Sequence, residues 1–158
     1  MITAFLFAAL MLFPEEDTCT TTETTISGNS MQGLLWDKQN ITVYSFGCDT
    51  PSRYDYILFT HPETPNAVVK QLWGLPGDIL RVEDDGHFYI NDVMVMTPFS
   101  KPYLLLGAYK TRFKEIEGIL DGYMLLGHPG SLDSARVGLL PESSFLGYVK
   151  KAEPYDGH

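Results

Sequence analysis

The stretch Ile79-Leu80-Arg81-Val82-Glu83-Asp84-Asp85-Gly86-His87-Phe88-Tyr89-Ile90-Asn91-Asp92-Val93-Met94-Val95-Met96 decides the fold class. Three short runs rich in β-branched and aromatic residues, 79–82, 87–90 and 93–96, are separated by the pairs Asp85-Gly86 and Asn91-Asp92. Gly adopts left-handed backbone without steric cost and Asn and Asp tolerate it, so such pairs reverse a chain between strands. The stretch reads as a β-meander. Outward from it, residues 41–46, 56–60, 67–73, 123–126 and 145–149 are further strand-like segments. The one fair helical candidate, 110–120, carries Gly118, which weakens a helix interior. A mainly β fold follows.

The chain has 158 residues, room for one domain with a sizeable core. Its formal charge of −9 disfavours a nucleic-acid surface, which needs a basic stripe, and electrostatic adhesion to anionic lipid. Two cysteines, Cys19 and Cys48, exclude a disulfide-rich scaffold and a four-cysteine zinc site. They form one bridge in an oxidising compartment or stand as two thiols in a reducing one.

Residues 2–13 are apolar except for Thr3, and Pro14-Glu15-Glu16-Asp17 ends the run. As a helix it reaches about 18 Å, short of the roughly 30 Å hydrocarbon core. It reads as a signal-peptide core, a short or interfacial membrane helix, or a buried element; no Lys or Arg precedes it to supply a basic leader. The expectation carried forward is a short membrane anchor over 1–17. A Thr-rich linker or extended edge follows over 18–26, then one domain over 27–158 with a smaller inserted cap near 83–120.

HExxH, P-loop, GxGxxG and GxSxG patterns are absent, and none of His61, His87, His128 and His158 sits in a triad context. Ser30 follows the turn-prone pair Gly28-Asn29, which can present a hydroxyl, although a serine there is commonly a turn residue and no more. Lys70 lies in a strand-like run of apolar neighbours. Its stem either packs while the ammonium reaches water, or the amine is desolvated and becomes basic near neutrality.

The surroundings of these two residues carry a resemblance. Ser27-Gly28-Asn29-Ser30-Met31 resembles the nucleophile box of the type I signal peptidases. Val69-Lys70-Gln71-Leu72-Trp73-Gly74-Leu75-Pro76-Gly77-Asp78 resembles their general-base box, and Phe88-Tyr89-Ile90-Asn91 the hairpin after it. Gly127-His128-Pro129-Gly130-Ser131-Leu132-Asp133-Ser134 resembles the closing Ser-x-Asp-Ser box. The four come in the family's order. The small size and the Gly-His-Pro preceding the last box are more similar to the plasmid-transfer branch that matures conjugative pilins.

The resemblance implies an antiparallel β fold of signal-peptidase type with a small inserted β region. It implies a serine peptidase without cofactor or metal, in which Ser30 attacks, Lys70 is the general base and the Ser30 N–H lies in the oxyanion hole. By the same resemblance Ser131 orients Lys70, Asp133 is a structural acid with Arg136 as its partner, Met31 floors the cleft, and Gly28 occupies the place of a second oxyanion donor. Substrates would be exported precursors or a pilin leader peptide. Membrane lipid would be the other partner, with no nucleic acid, at a bacterial inner membrane with the domain on the outer side. Three departures stand out. Gly28 replaces a serine found in some members, Gln32-Gly33-Leu34-Leu35 follows Met31 in place of a Pro-Thr-Leu-like tail, and Ala135 separates Ser134 from Arg136. The rival readings are a self-cleaving repressor, disfavoured by the short, apolar stretch before Ser30, and a non-catalytic binding protein that keeps the fold.

Overall fold

In the computed structural model, which describes residues 18–151, ten strands form two antiparallel sheets. The larger sheet contains β1 (Thr21–Thr25), β2 (Asn40–Tyr44), β3 (Tyr56–His61), β4 (Thr64–Gly74), β9 (Met124–Leu126) and β10 (Phe145–Val149), in the order β1-β2-β10-β3-β4-β9. The smaller contains β5 (Ile79–Val82), β6 (Phe88–Ile90), β7 (Val93–Met94) and β8 (Gly118–Ile119), in the order β7-β6-β5-β8. The expected meander is thus the body of the second sheet, inserted between β4 and β9. The insertion takes in β5 and so begins near Ile79 rather than near Glu83.

One of the buried clusters spans both sheets. Trp73, Met124 and Leu126 pack with Leu80, Phe88, Tyr103, Leu105 and Phe113 in a single buried cluster, so the inserted sheet is fused to the larger one. Phe88 meets the rings of Tyr103 and Phe113 edge-on at 5.5 and 5.3 Å. Phe113 is the one buried residue of α1 (Gly107–Glu115). The helix ends short of the expected 110–120 because Gly118, at φ 104, leaves helical backbone and pairs with Leu80.

Asp78, which immediately precedes β5, ties the two sheets together. Its carboxylate accepts from Arg53 at 2.5 and 3.1 Å, from the Leu75 N–H at 2.7 Å and from the Asn91 amide at 2.9 Å.

The Thr-rich segment is ordered as an edge strand, with Thr25 opposite Asn40 and Thr21 opposite Tyr44. Its β-branched residues suit a pleated strand even with every side chain exposed. Cys19 and Cys48 are joined in a disulfide that fastens the start of β1 to the loop after β2. Closing a loop of 29 residues in the unfolded chain stabilises the fold by roughly 3–4 kcal/mol in the chain-entropy account. The expected anchor over 1–17 lies outside the described residues. Among the described residues no helix is long and apolar enough to cross a membrane.

Candidate active site

Ser30 stands on the loop between β1 and β2. The loop is pinned from below: Ile26, Met31 and Leu35 are buried with Ile41 and Val43 of β2, and the Leu34 and Leu35 N–H groups both donate to the Met31 carbonyl. Gly28, at φ 96, turns the chain into this loop. With its core side fixed, the loop presents the Ser30 side chain to the groove above.

Lys70 comes from β4, opposite Ile57 of β3, and is 1% exposed. Its Nζ lies 2.6 Å from Ser30 Oγ and 3.1 Å from the Val69 carbonyl. Burial drives the amine down from 10.5 to about 8, while the negative charge of Asp133 pulls it back up. A buried lysine faced by one hydroxyl and one carbonyl has no carboxylate in direct contact to stabilise its charge, which is why desolvation wins.

Gly127 closes the back of the pair, one position beyond the Gln71–Leu126 pairing of β4 and β9. A Cβ there would sit 2.6 Å from the Ser30 carbonyl, 2.8 Å from Lys70 Cδ and 3.0 Å from Met31 Sδ. Only glycine lets the three approach. The neighbouring His128 N–H donates to the Ser30 carbonyl at 3.0 Å, and the His128 ring nitrogen Nε2 bonds the Gln32 carbonyl at 2.7 Å. His128 therefore holds the Ser30 loop while leaving the serine hydroxyl to the lysine.

The last box is arranged differently from the expectation. Ser131 lines the groove, but its hydroxyl donates to the His128 carbonyl at 2.6 Å and not to Lys70. Asp133 is fully buried; it accepts from the Tyr103 hydroxyl at 2.8 Å, the Gly127 N–H at 3.3 Å and the Ala135 N–H at 3.0 Å, capping α2 (Ser134–Val137). Burial pushes its carboxyl up to about 6 against the pull of these donors and of Lys70. Arg136 is not its partner. The residue inserted at Ala135 carries the guanidinium outward to Glu63, at 3.0 Å. Met31 is core and not a wall of the groove, and the Gly28 N–H is spent on Asp37 Oδ1 at 2.8 Å, so it is not available to an oxyanion. The Ser30 N–H, by contrast, donates to no acceptor among the described residues.

Beside the pair runs a groove of about 720 Å³, lined by Thr24, Thr25, Val68, Lys70, Ser30 and Leu132 among others. It brings together two strand edges, the outer edge of β1 and the part of β4 before Gln71 that β9 leaves unpaired. Among the described residues no group of His, Cys, Asp and Glu is placed to hold a metal ion. The chemistry available is that of a hydroxyl beside a desolvated amine: proton transfer and nucleophilic attack on a carbonyl presented in the groove.

The profile of the family described as "Signal peptidase, peptidase S26" matches residues 1–152. Signal peptidase I U of Bacillus subtilis (strain 168) is 32% identical over 131 residues, covering 77% of this chain and 70% of that protein. A signal peptidase I from Enterococcus faecalis V583, known from a crystal structure, superposes with a TM-score of 0.41 at 24% identity, over 63% of this chain and 96% of that one.

Proposed function

Because the chain belongs to the signal peptidase family of S26 peptidases, we propose that it removes signal or leader peptides from exported precursors with Ser30 as nucleophile and Lys70 as general base. The observation that carries this reading is the 2.6 Å contact between Ser30 Oγ and a buried Lys70 amine. In its neutral form the amine accepts the Ser30 proton as Oγ attacks the scissile carbonyl. The resulting oxyanion is met by the Ser30 N–H, and the new ammonium then protonates the departing amine. Water repeats the cycle on the acyl-enzyme, with Lys70 again taking the proton.

The groove suits a substrate segment in extended form. Two unpaired strand edges offer main-chain donors and acceptors, so a leader peptide adds itself as a strand with its scissile bond at Ser30. Small side chains one and three positions before that bond fit this reading. The apolar segment 1–17 anchors the domain at the bacterial membrane, and the Cys19–Cys48 disulfide suits its oxidising outer side. A conjugative pilin is the favoured substrate, on the Gly127-His128-Pro129 signature. Incubating the full chain in detergent with an exported precursor tests the reading: cleavage is expected, and its loss in both Ser30→Ala and Lys70→Ala with the fold intact. Cleavage by either variant would overturn it.

A further inference from the structure

The segment that follows β7 sends a buried hydroxyl, that of Tyr103, toward the dyad. Tyr103 lies between β7 and α1 with its N–H on the Val95 carbonyl and its ring edge-on to Phe88, 2% exposed. Its hydroxyl crosses the shared core to Asp133 Oδ2 at 2.8 Å. The same oxygen takes the Gly127 N–H, and Gly127 abuts both the Lys70 stem and the Ser30 carbonyl. We propose that Tyr103 is a positioning residue for Lys70, acting through the Asp133 carboxylate that its hydroxyl holds behind Gly127. The proposal rests on the Ser30–Lys70 reading of the site.

The kind of partner matters. An arginine would neutralise Asp133; a phenol holds it without cancelling its charge. Burial and the adjacent carboxylate push the Tyr103 hydroxyl far above its ordinary range, so it stays a donor wherever the enzyme works. Asp133, at about 6, is then an anion at the pH where Lys70 titrates, and its charge favours the ammonium. The other charged or titratable groups around the pair are accounted for. Arg112 of α1 donates to the Ala135 and Arg136 carbonyls, Arg136 of α2 faces Glu63, the Tyr109 hydroxyl bears weakly on Tyr103, and the His128 ring is bonded to the Gln32 carbonyl. Among the described residues the Lys70 amine has Ser30 and the Val69 carbonyl as hydrogen-bond partners, and it feels the field of Asp133.

Tyr103→Phe removes the donor and keeps the ring. Asp133 then titrates about one to two pH units higher, since a hydrogen bond to a charged group favours the charged form. Once Asp133 is protonated, Lys70 loses its anionic neighbour and its own pKa falls. The test follows the Lys70 ε-methylene NMR signal, identified by its loss in Lys70→Met, together with the acid limb of cleavage against pH. Both are expected to move down by about half a unit or more. Asp133→Asn is expected to do the same, and Tyr103→Phe added to it to do nothing further. A Tyr103→Phe chain whose Lys70 titration and acid limb coincide with the parent's would overturn the proposal, whatever its melting temperature; were that chain to misfold, an unmoved Lys70 in Asp133→Asn would overturn it equally. The NMR titration needs no substrate, so a failure of the dyad reading, seen as cleavage by Ser30→Ala, is told apart from a failure of this one.

Discussion

Two charged side chains of low exposure, Lys70 the more deeply buried of the two, are treated in opposite ways. Asp78, at the join of the sheets, is held by Arg53, the Leu75 N–H and the Asn91 amide. Burial alone would raise its carboxyl, but these donors outweigh it and hold it below the ordinary value. Lys70, 1% exposed, has a hydroxyl, a carbonyl and no carboxylate in contact, so burial prevails and the amine drops to about 8. A saturated charge braces a fold. A charge left short of partners is costly to the fold and is the one that can exchange a proton near neutral pH.

Changes at the dyad break this comparison most severely. Ser30→Ala and Lys70→Ala are each expected to abolish cleavage, and Lys70→Arg as well, because a guanidinium keeps its proton. Lys70→Met is expected to be inactive yet more stable. The descent from 10.5 to about 8 corresponds to roughly 3 kcal/mol of unfavourable charge burial. Because the native pKa lies below the unfolded one, that penalty is complete below pH 8 and disappears as the pH approaches 10.5. Melts of the Met variant should therefore gain on the parent at pH 6–7 and converge with it near pH 10.

Asp133→Ala comes next. It strands the Tyr103 hydroxyl and the Gly127 and Ala135 N–H groups in the core, at a cost of roughly 3–5 kcal/mol by denaturant unfolding. Arg53→Met sharpens the contrast from the other side. It should lower stability by roughly 1–3 kcal/mol, since Asp78 keeps its remaining donors, and leave the pH dependence of cleavage unmoved. The smallest effect is Arg136→Ala, whose half-exposed pair with Glu63 is worth about 1 kcal/mol or less.

Much of this was legible in the sequence, and for physical reasons. The meander announced itself through Asp85-Gly86 and Asn91-Asp92, since local turn chemistry is written in adjacent residues. Ser30 and Lys70 stood out because each sits in a run that resembles a known box. Long-range partnerships were not legible. Nothing near residue 133 in the chain indicates Tyr103 as its donor, or that Ala135 turns Arg136 to Glu63, because both depend on how the inserted sheet docks. Gly127 lies within its box, but its steric role emerges only when the Ser30 carbonyl and the Lys70 stem converge on it. The Thr-rich segment allowed both a linker and an edge, and pairing with β2 and the disulfide decided for the edge.

The most direct test of the contrast between the two charges is the cleavage rate of a precursor followed from pH 5 to 10. A single group that must be neutral, titrating near 8 in the free enzyme, predicts that kcat/KM climbs about tenfold per unit below that point and levels above it, with the same profile in Arg53→Met. A profile flat across pH 6–9, or one whose midpoint follows Arg53 rather than Asp133, would contradict the assignment of Lys70 as the base.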